Sequence, residues 1–335
     1  MIRKKITFIT TGDVTSIATM KRALGMANPL SDLGWEVAIV AMDCQNNKDR
    51  ISLECNSTIV IHYFKDGSVN EEVKQKTDII NNINPEFVYF CSFSARNRVI
   101  RSKIGKKTRI IIEHSELASS IPDRKGLKKL LAYAMEIYSV RYADFLVCAS
   151  AYLVEHYRRL AKKLFKSNIP IAYSPYAYND SVIDYPPVLL HELQEVYRHK
   201  HIFLYMGTMT KNYGLFTMLK AVELLKQRSS EENFMLLLMG KGRHLNEAKD
   251  YAESKVLNVV VKFTGYIPET HLSSYFRLAD EFISPLNNTI QDVARCPSKI
   301  YMYLPYNKPV LTCKLGEPYR IFGESGFYFD NGRPE

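Results

Sequence analysis

Apolar, β-branched runs alternate with segments of helical period along this chain, and they do so twice over, which confines it to a small group of α/β folds. In the first half the runs lie at residues 6–10, 37–41, 59–64, 87–91, 109–113, 145–149 and 170–173, with helical segments at 16–33, 71–82, Leu127–Tyr142 and 152–165 between them. Short, almost wholly apolar strands separated by helices predict a parallel, doubly wound sheet covered on both faces. A second series follows at 202–206, 234–239, 259–263, 282–284, 309–313 and 326–329. Between the two, residues 174–187 read SPYAYNDSVIDYPP, whose three prolines and polar residues predict an interdomain linker. The expectation is two Rossmann-like domains, 1–178 and 188–335, facing across a cleft. A length of 335 residues suits two cores better than one. Ligands of such sheets bind outside the carboxyl ends of the strands.

Residues 281–313 carry the densest chemistry. A short strand ends at Ser284-Pro285, a polar loop follows, and Pro297 stands where proline suits a helix start, with Arg295 and Lys299 on either side. Unpaired N–H groups at a helix start, with two cations beside them, predict a seat for a diphosphate. Residues 207–214, GTMTKNYG, follow a strand and open a helix. Gly207, Thr208, Lys211 and Asn212 are therefore candidates for phosphate contact, against the alternative of a plain β-to-α turn. Gly240 and Gly242 end the next strand, where either close approach of a nucleotide or a structural turn explains them.

The ordered motifs resemble family 4 retaining glycosyltransferases of GT-B fold. PSKIYMYLPYNKPVL (297–311) is similar to the family's "P-x-K-hydrophobic-x-E/D-Tyr" segment with its closing "Pro-Val", and YMGTMTKNYGLFTMLKAVELL (205–225) to the opening of its nucleotide-binding domain. Residues 236–285 follow the family order of "Gly-x-Gly", "Val-x-Phe-x-Gly" and "Tyr-x-x-Ala-Asp", while ATMKRALGMANPLSDLGWEVAIV (18–40) matches its first helix and second strand more loosely. The resemblance implies a metal-independent, retaining transfer of a sugar from a nucleotide-sugar to a glycan or lipid-linked acceptor in cell-surface polysaccharide or glycoconjugate synthesis. No cofactor is implied; the nucleotide-sugar is a co-substrate. It places the acceptor on the first domain and the donor on the second, with Tyr266 and Ile267 where the family reads the base through backbone groups.

Two departures stand out. The family's Arg after the first glycine and Lys before the second are here Thr208 and Tyr213, and its paired glutamates fall at Ala294 and Met302, leaving Asp292 as the nearest acid. A non-catalytic partner subunit therefore stays open beside the enzyme, as does a nucleotide-sugar epimerase. On the acceptor side IIIEHSEL (110–117) is similar to the family's "His-Glu" element with a serine intervening, so His114 or Glu116 carries the match. Family members usually continue beyond a strand like 326–329 through helices that return to the first domain, which implies an exposed apolar patch here.

Other classes lose support. There is no Asp-x-Asp, Walker A loop, G-x-G-x-x-G, H-E-x-x-H or G-x-S-x-G, and six cysteines without C-x-x-C spacing read as reduced thiols. No apolar run approaches the ~20 residues of a membrane span, and residues 1–10 do not read as a signal peptide. The implied location is cytoplasmic, peripheral at the inner membrane face. The net charge of +10 lies wholly in the first half: residues 1–175 hold 27 Lys and Arg against 17 Asp and Glu. Arg124, Lys125, Lys128 and Lys129 precede or open a helix, where the dipole opposes them, so an anionic membrane surface is a candidate partner. Leu127, Leu130, Leu131, Ala134 and Tyr138 form one stripe on that helix, expected to face the core. Nucleic acid is not expected, since no recognition motif accompanies the charge.

Overall fold

The computed structural model describes residues 3–176, 185–228 and 233–329. The chain divides into two compact units, Met1–Tyr176 with Ala294–Cys296, and Ala177–Val293 with Pro297–Glu335. The heart of the expected linker, 177–184, lies outside the described residues.

In the first unit seven strands form one parallel sheet in the order β3-β2-β1-β4-β5-β6-β7. They are β1 Lys5–Ile9, β2 Glu36–Met42, β3 Val60–Phe64, β4 Phe87–Phe90, β5 Arg109–His114, β6 Phe145–Cys148 and β7 Ile171–Tyr173. Two apolar clusters, one around Phe90, Ile112 and Leu153 and one around Phe8, Leu24 and Ile39, fill this unit. The helices are α1 Thr19–Asp32, α2 Gln45–Glu54, α3 Val69–Ile83, α4 Ala95–Lys103, α5 Leu127–Tyr142 and α6 Ala151–Lys163. Local signals set their ends. Ser68 and Glu71 make a reciprocal capping box at the start of α3, and Asn84 ends it in the left-handed region at φ 47°. Ser150 caps α6 by accepting from Leu153 N at 3.1 Å.

In the second unit six strands are parallel in the order β10-β9-β8-β11-β12-β13. These are β8 His201–Met206, β9 Phe234–Met239, β10 Val261–Gly265, β11 Glu281–Ser284, β12 Val310–Cys313 and β13 Phe327–Phe329. All thirteen strands among the described residues fall where the apolar runs predict them. One face of this sheet, with helix Leu215–Arg228, leaves an apolar groove lined by Phe203, Met218, Val222, Leu225, Ile283 and Leu311.

The stripe on α5 corrects an expectation. Leu127 is 74% exposed, Leu130 68% and Leu131 55%, and Ala134 is exposed too. The helix instead buries Ala132, Glu136, Ser139 and Val140. The buried polar pair explains why: the Glu136 carboxylate accepts from Ser119 N at 2.8 Å and Ser119 Oγ at 2.9 Å, and Ser139 Oγ contacts His114. Hydrogen bonds to the segment after β5 thus decide which face docks, and the leucines are left outside.

Candidate functional site

The order of the second sheet reverses between β8 and β11, and the carboxyl ends of strands at such a switch point are where open α/β sheets bind ligands. The loop after β8 is laced to its neighbours by backbone bonds: Gly207 N donates to Met239 O and Met209 N to Lys241 O, each at 2.9 Å, and Gly240 N donates to Gly265 O at 2.7 Å. A Cβ on Gly240 would lie 2.0 Å from Gly207 O, and one on Gly242 would lie 2.3 Å from Met209 O. Packing of one loop backbone on the other therefore accounts for both glycines, as the structural-turn alternative expects.

Gly207 has a different neighbour. A Cβ there would stand 2.8 Å from Lys299 Nζ and 2.9 Å from the Tyr205 hydroxyl. Glycine at 207 thus leaves room for a half-buried ammonium, which lies 3.8 Å from the centroid of the Tyr205 ring. Tyr205 is itself fully buried and its hydroxyl donates to Thr208 O at 3.2 Å. Lys299 is the second residue of helix Ser298–Tyr303, with Pro297 as its N-cap. One turn on, the buried Tyr303 hydroxyl accepts from Met206 N at 2.9 Å, and its ring stacks on Phe282 at 4.2 Å. Tyr303 therefore satisfies the last N–H of β8 and fixes the helix that carries Lys299. The helix has six residues, so its dipole is short and the lysine charge dominates.

The other candidates are differently engaged. Lys211 is exposed and pairs with Glu247 at 2.6 Å, an exchangeable surface contact of ~0–1 kcal/mol. Asn212 O accepts from Asn287 Nδ2 at 3.0 Å, which ties the loops after β8 and β11 together. Asp292 is 1% exposed, and its Oδ2 accepts from Asn287 N and from Asn287 Nδ2, so it organises its own loop. This differs from the expectation of a carboxylate presented to a donor. Thr208 is exposed; Tyr266 is 42% exposed with Lys241 Nζ 5.2 Å from its ring centroid, and Ile267 packs against the apolar cluster of Leu204 and Phe282. Ala294 is fully buried and Met302 packs against that same cluster, so the positions of the family's glutamates are apolar.

His114, Glu116 and Arg295 belong to the first unit, where Arg295 is 7% exposed. His114 is buried, stacked on Tyr157 at 4.1 Å, with Nδ1 and Nε2 each 2.9 Å from a hydroxyl. Ser139 Oγ donates to Glu136 O, so it accepts from Nε2–H, and Nδ1 accepts from Tyr157. Burial, reinforced by His156, lowers the imidazole to about 3. His114 is thus a neutral structural residue with both nitrogens engaged, a correction to its expected catalytic role. Glu116 is half-buried and makes no side-chain hydrogen bond or ion pair among the described residues. Neighbouring Glu113 is locked to Arg22 at 2.7 Å and to the Tyr89 hydroxyl at 2.7 Å. Arg22 also donates to the Ser174 and Pro175 carbonyls, fixing the chain after β7. Sequence reasoning missed Tyr205, Tyr303, Asn287 and Arg22. Only Tyr303, one helical turn after Lys299, carried a positional signal.

Residues 191–335 match the family model described as glycosyl transferases group 1. No curated protein matches the chain in sequence. Among solved structures, the chain is similar to Anabaena HepE in complex with UDP and glucose, at 13% identity and a TM-score of 0.72 over 99% of this chain and 87% of that one. It is similar to sucrose-phosphate synthase from Thermosynechococcus elongatus at 15% identity and TM-score 0.76, over 99% and 87% of the two chains. A glycosyltransferase from Rickettsia africae aligns at 16% identity and TM-score 0.72, over 100% and 86%. The chain therefore has the GT-B fold of two Rossmann-like domains, and its residues 191–335 are similar to the glycosyl transferases group 1 model.

Proposed function

We propose that the protein is a retaining glycosyltransferase that takes a nucleotide-sugar on its second unit and passes the sugar to a glycan or lipid-linked acceptor. The observation that carries this reading is the Lys299 ammonium, held against Gly207 at the switch point of the second sheet. As the glycosidic bond breaks, negative charge grows on the departing diphosphate. A cation already positioned there stabilises the transition state more than the bound donor. The UDP named with HepE supports a nucleoside diphosphate as the group held. Arg295 is a second candidate cation, and Glu116 is the first unit's candidate for contact with the acceptor.

Lys299→Ala is expected to slow donor hydrolysis and transfer roughly a hundred- to a thousandfold, ~2.7–4 kcal/mol, with a smaller change in donor affinity. Near-normal turnover with a lowered melting temperature would assign Lys299 to stability alone. A second reading, a non-catalytic partner subunit, is favoured by the apolar positions of buried Ala294 and partly buried Met302. It predicts nucleotide binding without turnover in every acceptor mixture.

A further inference from the structure

Helix α4 and the loop behind it carry more charge than the fold uses. Residues 95–109, ARNRVIRSKIGKKTR, hold seven Lys and Arg and no Asp or Glu. The helix dipole welcomes Arg101 and Lys103 in the last turn. It opposes Arg96 and Arg98 in the first, and Lys106 and Lys107 lie beyond the helix altogether. Lys103, Lys106, Lys107 and Arg109 are exposed and make no ion pair among the described residues.

Arg96, by contrast, is held in place. Its guanidinium pairs with the buried Glu72 of α3. The same carboxylate accepts from Lys76 Nζ at 2.6 Å, and Lys76, fully buried, also donates to Thr10 O at 2.9 Å, just past the end of β1. One carboxylate therefore faces two cations. Lys76, enclosed with it, neutralises Glu72, so the charge of the exposed Arg96 is left uncompensated. The anchor lies at the first sheet's own switch point, between β1 and β4, where the Thr11 and Ser92 hydroxyls meet at 3.3 Å.

We propose that α4 and the loop after it form the track of an acidic glycan, with Arg96 gripping an oxyanion of the sugar presented at the β1–β4 switch point. The inference rests on the glycosyl-transfer reading and narrows its acceptor to a glycan that carries carboxylate or phosphate groups. A guanidinium pre-oriented by a carboxylate offers its remaining donors as a planar fork, which matches either oxyanion. The nine residues of α4 rise about 14 Å, longer than a single sugar ring, so the occupant is a chain. Nucleic acid fits less well. The rings beside the strip, Phe93 and Tyr138, stack on each other at 5.9 Å and Arg98 lies 5.0 Å over Tyr138, so neither is a free platform for a base.

Fluorescence anisotropy of end-labelled oligosaccharides, titrated with the full chain and no donor, tests it. The probes are oligogalacturonate, phosphorylated maltooligosaccharide and neutral maltooligosaccharide of equal length. At least one acidic probe should bind roughly tenfold or more tightly than the neutral one, and the tighter of the two identifies the oxyanion. Raising salt from about 0.05 M to about 0.5 M should remove most of that advantage. Arg96→Gln should weaken the acidic probe roughly tenfold and leave the melting temperature unchanged, because Glu72 keeps Lys76. Replacing Lys103, Lys106 and Lys107 by glutamine should weaken a long acidic oligomer and leave an acidic disaccharide unaffected. Equal binding of acidic and neutral probes, or acidic binding that survives both variants, would overturn the proposal. So would tighter binding of a single-stranded oligonucleotide, which would assign the strip to nucleic acid. Acidic probes that bind while no nucleoside diphosphate does would remove the glycosyl-transfer reading and leave the glycan-binding surface standing, so the two failures are distinguishable.

Discussion

At the residue scale the clearest division is between His114 and Lys299. The two appear in the sequence as equally plausible functional side chains, and burial separates them. His114 is neutral, enclosed and lowered to about 3 from an ordinary 6.5, while Lys299 keeps its amine at the end of a strand, in space that Gly207 leaves open. The depressed imidazole fixes a pH dependence. Its contribution is complete above pH 6.5 and is lost as pH falls from there toward 3, because the unfolded chain takes up the proton that the folded one refuses. Unfolding free energy should fall by up to about 1.4 kcal/mol per pH unit across that window on this account. Denaturant titrations of His114→Gln should show a shallower slope there and lower stability at neutral pH. An unchanged slope would mean that His114 is protonated in the native state. The sequence carries no sign of this, since Ser139 and Tyr157 reach His114 from helices 25 and 43 residues away.

At the element scale the loop after β8 depends on backbone approach. Gly240 has φ +137° and no space for a Cβ beside Gly207 O, so Gly240→Ala must push two strand ends apart. Thermal unfolding should show a loss greater than about 1 kcal/mol, the scale for glycine positions that alanine cannot adopt. A wild-type melting temperature would show that the loops yield freely. Elements with apolar faces were legible in the residues, whereas α2 and α4 were not. Helix α2, QNNKDRISLE, buries Asn47 and Arg50. Asn47 is held by Gly12 O, Met42 O and Val14 N, a hydrogen-bonded anchor that hydrophobic periodicity cannot register. Helix α5 shows the converse: its apolar stripe was plain, but Glu136 and Ser139 set its orientation.

For the whole molecule, strand period and motif order made both parallel sheets legible, since buried parallel strands must be almost continuously apolar. Side-chain donors were less legible, because Lys299 depends on Tyr205, Tyr303 and the absent side chain of Gly207 rather than on a local pattern. The central claim is that the second unit holds a nucleoside diphosphate at the switch point between β8 and β11. Isothermal titration of the purified chain with UDP, GDP and ADP tests it most directly. The account predicts one diphosphate bound with a Kd below about 1 mM, roughly −4.1 kcal/mol or stronger, and the other two more weakly. No heat of binding from any of the three at millimolar concentration would contradict it.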